Sequence, residues 1–327
     1  MATSGSWNYS LTAAGIIEMA LENLGILAEG GTVSSAQNTM LLRRLNVIAK
    51  QYQGTADMAQ GMKVHTRQRI TLAMAVGQQE YLIGPASTDA RSSTAMGRTT
   101  LSADEASGQT VLSITSNTDT TTYPGTTITM TASDFIGITL ADGTIYWTTI
   151  SGTPGATATI AVALTGDASS GAYVYWFTAR AQRFPVIESA LLREAGYTTT
   201  PLEVYVDARQ YDQGVSAKYA RGTPTAILVE PLRIATRVTL NSQPTNMQQQ
   251  IILTVLYPSE DYDATSDDVA FPQEWLRPLA WELSFEVAPA FGVEWTTARE
   301  KLRTESLSIA RALNPENSVL FYEPNRW

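Results

Sequence analysis

The sequence predicts an α+β protein: an N-terminal helical hairpin and C-terminal helices forming an α-helical core, antiparallel β elements, and an inserted all-β, sandwich-like domain. Three observations carry this prediction. Apolar residues recur at helical spacing near both ends of the chain, and they alternate with period two between them. From Thr99 to Ala179 there is no Lys or Arg, although Arg98 and Arg180 stand at the edges of that stretch. A block so distinct in composition, whose ends rejoin a different one, reads as an insertion.

The elements follow in order. In LTAAGIIEMALENLGIL, Ile17, Leu21, Leu24 and Ala28 share one helical face, and Gly25 followed by Ile26 suits a left-handed C-cap. Ser34 with Gln37 forms a capping-box pattern that starts a second helix, with Leu41, Leu45, Ile48 and Tyr52 on one stripe. The period then changes. Lys63, His65, Arg67 and Arg69 alternate with Val64, Thr66, Gln68 and Ile70 in a strand that continues to Gly77, and QEYLIG is expected to return as its hairpin partner. Inside the insert, TVLSIT, TTITMT, FIGITL, TIYWTTI, TATIAVAL and AYVYWFT read as strands. Asp142-Gly143 is a type I′ hairpin signal, and turn signals roughly every 8–12 residues suggest a β-sandwich. Beyond the insert, FPVIESALLREAG is expected to be a helix, and PLEVYVD, TAILVEP, RVTL and QQIILTVLYP strands. FPQEWLRPLAWELSFEVAPAFG reads as a helix with Pro272 in its first turn and Pro278 producing a kink or a late start. In the last helix, Trp295, Ala298, Leu302, Ile309 and Leu313 are expected to line one face, with Asn314-Pro315 as the stop. The resulting organisation is a core of residues 1–97 and 180–314, an insert of 98–179, and a tail of 315–327.

Composition narrows the function. The chain has 327 residues, with 22 basic and 31 acidic residues giving −9, and a pI near 4.8. Wrapping duplex DNA by counterion release needs a dense basic face, which this balance disfavours. With no cysteine, disulfides and thiolate metal sites are excluded. No signal peptide and no membrane-spanning run are expected, and synthesis in a cytoplasm is.

A catalytic site is not expected, nor is a cofactor or a metal. His65 is the sole histidine, and neither G-x-S-x-G, a P-loop nor G-x-G-x-x-G occurs. SEDYDATSDD resembles a calcium loop, but Ser266 stands where an EF-hand needs Gly and Pro272 where it needs Glu, so a solvated linker is expected. Spaced carboxylates for glycoside hydrolysis are a property of a fold, and nothing in the sequence selects a pair. The basic row Lys63, His65, Arg67, Arg69 reads either as a solvated strand face or as a docking strip for an acidic partner. Arg43 and Arg44 read as a solvated face or an inter-subunit ion pair. Tyr146-Trp147 and Tyr175-Trp176 fit core and rim packing better than a sugar site, because adjacent strand residues point to opposite faces. The chain ends in NSVLFYEPNRW. Its Val319, Leu320, Phe321, Tyr322 and Trp327 either cap the last helices of their own subunit or act as docking anchors.

The N-terminal hairpin, with its ALENLGILAEG turn and LLRRLN, leads into ITLAMAVGQQEYLIG; YARGTPTAILVEP, IILTVLYPSEDYD and FPQEWLRPLAWELSFEVAPAFG follow much later. This order resembles the head-to-tail adaptor (packaged-DNA stabilisation or head-completion) family of short-tailed bacteriophages, over roughly residues 10–85 and 180–312. GITLADGTIYWTTISG resembles the small β domains of phage neck and tail proteins. The resemblance implies a ring of twelve subunits below the portal protein that extends the DNA channel, retains packaged DNA and offers a platform to tail, nozzle or fibre proteins. Double-stranded DNA would pass without sequence-specific binding, and the net acidity suits a conduit along which DNA slides. It further implies that Val319, Leu320, Phe321, Tyr322 and Trp327 clasp the portal. Other neck or tail ring proteins, a carbohydrate-binding tail component and a cell-wall hydrolase are the alternatives.

Overall fold

The computed structural model describes residues 9–28, 31–54, 66–85, 92–120, 127–194, 198–215, 218, 220–246, 249–257, 260–269 and 271–313. In chain order, helices α1 (Ala13–Leu24) and α2 (Ser35–Gly54) precede strands β1 (Thr66–Ala73), β2 (Glu80–Ile83), β3 (Ser92–Ser93) and β4 (Gly97–Thr100). Next come β5 (Val111–Ser113), β6 (Thr118–Asp119), β7 (Ile128–Thr129), β8 (Phe135–Thr139), β9 (Ile145–Thr149), β10 (Thr157–Thr159) and β11 (Tyr173–Phe177). Strands β12 (Val186–Arg193) and β13 (Thr199–Tyr205), helix α3 (Ala208–Gly214), and strands β14 (Ala220–Arg221), β15 (Ala226–Pro231), β16 (Thr236–Leu240), β17 (Ser242–Gln243) and β18 (Gln250–Tyr257) follow. Helix α4 (Gln273–Val287), a 3₁₀ turn (Ala288–Phe291) and α5 (Thr297–Leu313) close the series. The class is mixed α+β. The chain forms two units, residues 1–66 with 258–327, and residues 67–257.

In the first unit α1, α2, α4 and α5 share one apolar core, centred on Ile16, Ile17, Leu21, Leu41, Leu45, Trp275, Leu279 and Leu283. The caps are local chemistry. Gly25 adopts φ 73° and donates to the carbonyls of Leu21 and Glu22, ending α1. Ser34 and Gln37 exchange bonds reciprocally: the Ser34 N–H donates to Gln37 Oε1 (3.1 Å) and the Gln37 N–H to Ser34 Oγ (3.3 Å). Segment 260–269 is not the solvated linker expected. Tyr262 and Val269 are buried in the helical core, and the carbonyls of Thr265 and Asp267 accept the first N–H groups of α1, from Ala14 and Ala13 (2.8 Å each). Helix α4 starts directly after Pro272 and runs through Pro278, so the late start is not observed. On α5 the face expected from spacing is not the buried one. Leu302 and Ile309 are exposed, and Ser306 and Ala310 are buried instead. Small residues there let α5 approach α4, while Arg303 reaches Glu282.

The second unit contains an eight-stranded sheet in the order β2-β16-β15-β13-β12-β18-β1-β3. The short 74–79 link joins β1, next to last in that order, to β2, the first, so the sheet is nearly closed. Met74 and Tyr81 share its core with Ile70, Leu72, Ile227, Val238, Ile251 and Leu253. β2 is therefore not the hairpin partner of β1; it pairs with β16, because β18 and β3 occupy both edges of β1. All pairings given with their register in this sheet are antiparallel except β13 with β15, which is parallel. Residues 186–193, expected as a helix, form strand β12. Ala, Leu, Glu and Arg favour helix locally, but pairing with both β18 and β13 overrides that preference.

Residues 97–177 lie within this unit and carry a core of their own, including Leu112, Ile136, Ile138, Ile160, Val174 and Trp176. All six expected strands form there. They do not make two stacked sheets. The sheet β4-β11-β8-β9 and the pair β10-β5 are joined by bridges Ile150↔Ile160 and Leu101↔Ile114. Pairing thus runs in a ring, β4-β11-β8-β9-β10-β5 and back to β4, which makes a small barrel and removes free edges. The Asp142-Gly143 hairpin joins β8 to β9, but Gly143 (φ 90°) is its only residue with positive φ. Gly143 N–H donates to Leu140 O and Leu140 N–H to Thr144 O; this is a three-residue loop with a Gly bulge, not type I′. Tyr146 and Trp176 pack toward the barrel core, while Trp147 and Tyr175 pack in a second cluster with Ala73 of β1. Core packing therefore accounts for both aromatic pairs.

Candidate functional site

The helical unit carries an open groove of about 390 Å³. Its floor is α4, through Glu282, Phe285 and Glu286. Its walls are α2, through Ile48, Gln51 and Tyr52, and α5, through Arg303, Leu307 and Arg311. The spacing of 303, 307 and 311 explains one wall: residues four apart stack on one helical face.

The groove's charges are clamped. Arg303 binds Glu282 through both forks, Nε to Oε1 at 2.7 Å and Nη2 to Oε2 at 2.9 Å, the bidentate geometry that suits guanidinium and carboxylate. Its Nη1 reaches Glu300 at 3.2 Å, and the guanidinium lies 4.2 Å from the centre of the Phe285 ring. Phe285 in turn meets Trp295 edge-on, with centroids 5.1 Å apart. The Trp295 indole N–H donates to Glu300 at 2.8 Å, and this bond, aided by Arg303, holds the Glu300 carboxyl below its usual range. Burial, then the charge of Glu282, push the Tyr52 phenol well above its ordinary value, so the hydroxyl stays protonated at neutral pH. Such a surface offers apolar contact and fixed charge, which is the chemistry of recognition.

The basic candidates are dispersed. Arg44 pairs with Glu286 at 2.8 Å, within the same chain. Arg67 pairs with Glu188 (2.6 Å), a residue placed by the β-bulge between Ile187 and Ser189. Arg69 is half-buried, and Arg43 is exposed on the outer side of α2. Lys63 and His65 lie outside the described residues, as do Val319, Leu320, Phe321, Tyr322 and Trp327. Sequence reasoning missed the groove. Phe285, Glu282 and Arg303 come from two helices, and only their packing brings them together. Among the described residues no group of His, Cys, Asp or Glu is arranged to hold a metal ion, and no helix is long and apolar enough to cross a membrane. Comparison of the chain with protein-family models and with curated proteins finds no match.

Proposed function

We propose that this chain is a structural virion protein, a head-to-tail adaptor that forms a ring of twelve in the phage neck. It sits below the portal protein, extends the DNA channel and presents the tail, nozzle or fibre proteins with their platform. Its part is assembly, not catalysis. The observation that supports this most is the joining of the two terminal segments that bear the resemblance. Helices α1 and α2 and helices α4 and α5, separated by the whole β unit, share one core. The charge distribution agrees with a DNA conduit. Residues 1–66 and 258–327 hold 10 basic and 17 acidic residues, a net −7 of the chain's −9, and a like-charged lining repels the phosphate backbone. In this reading Val319, Leu320, Phe321, Tyr322 and Trp327 anchor the ring to the portal.

Cryo-microscopy of purified virions tests it. A ring of this chain between portal and tail is expected, and its absence from that position overturns the reading. Density within the tail tube instead assigns the chain to another ring of the neck or tail. Deleting residues 316–327 is expected to leave the helical unit folded while abolishing portal attachment.

A further inference from the structure

Among the described residues, two helix faces of the first unit leave apolar side chains exposed, although Met40 on one of them also packs against the helical core. On α2, Arg43 and Val47 are exposed, Val47 at 56%, with Met40 half-buried beside them. On α5, Leu302, Glu305 and Ile309 are exposed, Leu302 at 39% and Ile309 at 50%. Each helix presents an apolar residue three positions before a charge and another four positions after it. The charges are opposite, and neither Arg43 nor Glu305 makes an ion pair among the described residues. The stripes also point apart. Ile48 and Tyr52 of α2 and Leu307 and Arg311 of α5 face the groove above α4. At 3.6 residues per turn, Val47 and Leu302 then lie on the outer sides of the two walls.

We infer that these stripes meet between copies of this chain: Met40, Arg43 and Val47 of one copy dock on Leu302, Glu305 and Ile309 of the next. Opposite charges at the same offset from the apolar residues set both the attraction and the register. Two different patches on opposite flanks make the contact heterologous, which propagates from copy to copy and closes into a ring where the rotation allows. The inference deepens the ring reading by assigning its subunit contact, and only the closed ring rests on that reading; the pairing itself does not.

The absence of cysteine makes a clean test. The full-length variants Val47→Cys, Leu302→Cys and Ile309→Cys are purified separately, checked for native circular dichroism, mixed in pairs and oxidised. With Arg43 opposite Glu305, Val47 meets Ile309 if the helices run parallel and Leu302 if they run antiparallel. One of these mixed disulfides is expected to exceed the Val47→Cys homodimer at least about tenfold; neither exceeding it overturns the inference. Arg43→Glu alone and Glu305→Arg alone, each added to both partners, are expected to cut the trapped yield about tenfold, as like charges meet. Placing Arg43→Glu and Glu305→Arg in the same chain is expected to restore it, and a double variant as poor as the singles overturns the pairing. Trapping uses purified protein alone, so a positive trap with no ring in virions sinks the adaptor reading and leaves this contact standing.

Discussion

Gly97 lies directly opposite Trp176 on the β4–β11 ladder, and the indole covers the place where a side chain would be. A Cβ on Gly97 would stand 2.3 Å from two indole atoms. The same arrangement recurs on the other face of the sheet, where Gly137 faces Trp147 and a Cβ would meet the indole at 2.7 Å. Each tryptophan folds over a glycine and covers backbone that would otherwise be bare. Gly97→Ala should therefore overpack the barrel and cost about 1–3 kcal/mol. Gly155→Ala, where nothing lies within 4 Å, should leave the melting temperature almost unchanged in the same thermal scan. Equal shifts in the two variants would refute the steric account. Trp295 supports a second prediction. Its indole bond is the foremost cause of the lowered Glu300 pKa, so Trp295→Phe should raise that pKa toward the ordinary carboxylate value, read by carboxyl NMR titration. A lowered folded-state pKa contributes stability that is present above the unfolded pKa and lost as pH falls through the folded one. The variant should accordingly lose that contribution at a higher pH than the parent. Residue-scale features with neighbours in sequence, such as the Ser34–Gln37 box and the Gly25 cap, could be read directly. Gly97 could not, since its need for glycine comes from a strand far along the chain.

At the scale of elements the same division holds. Period and turn chemistry locate six strands of the 97–177 block, β5 and β7 to β11, because each has Gly, Asp, Asn or Pro beside it; β4 and β6 are too short to show a period. Their closure was not legible. It depends on the pairs Ile150↔Ile160 and Leu101↔Ile114, and nothing local distinguishes a barrel from a sandwich. The helix expected at β12 does not form because the preference of its Ala, Leu, Glu and Arg is local, whereas the partners that override it, β13 and β18, lie outside the segment. The spacing locates α5 and one apolar face on it, but that face is not the one that packs. The helix buries its small face against α4 and leaves Leu302 and Ile309 outside. The barrel's closure has a testable consequence. Its first and last strands, β4 and β11, are hydrogen-bonded neighbours, so its ends emerge side by side, and it owns a core. A fragment of residues 96–178 should unfold cooperatively in denaturant. It should also bind a hydrophobic dye, because Phe135, Trp147, Tyr173 and Phe177, which pack with Ala73 and Met96, would lose part of their cover. A fragment with no cooperative transition would show that the ring of pairings cannot stand without the larger sheet.

For the whole molecule the organisation is nested: the barrel interrupts the eight-stranded sheet unit, and that unit interrupts the helical one. Composition revealed only the inner insertion, because the absence of Lys and Arg stops at Arg98 and Arg180. The outer boundaries at 66/67 and 257/258 carry no such contrast in Lys and Arg. What binds the helical unit across its gap is visible only in three dimensions. The carbonyls of Thr265 and Asp267 accept the first N–H groups of α1, and the Asn46 side chain holds Tyr262, accepting its N–H at 2.8 Å and donating to its carbonyl at 2.9 Å. The ends of the β unit are also near one another. Arg67, where it begins, pairs with Glu188, whose neighbours Ile187 and Ser189 lie opposite Val255 and Thr254, close to its end. A short Gly/Ser linker in place of residues 67–257 can therefore span the gap. The resulting chain should keep native helical circular dichroism, since its buried core residues lie entirely in 13–49 and 262–310. Both stripes assigned to the subunit contact belong to that remnant, so it should still form the mixed disulfide from Val47→Cys with Leu302→Cys or Ile309→Cys. A folded remnant that no longer cross-links would move the self-association surface to the β unit. An unfolded one would show that the helices depend on the segment they enclose.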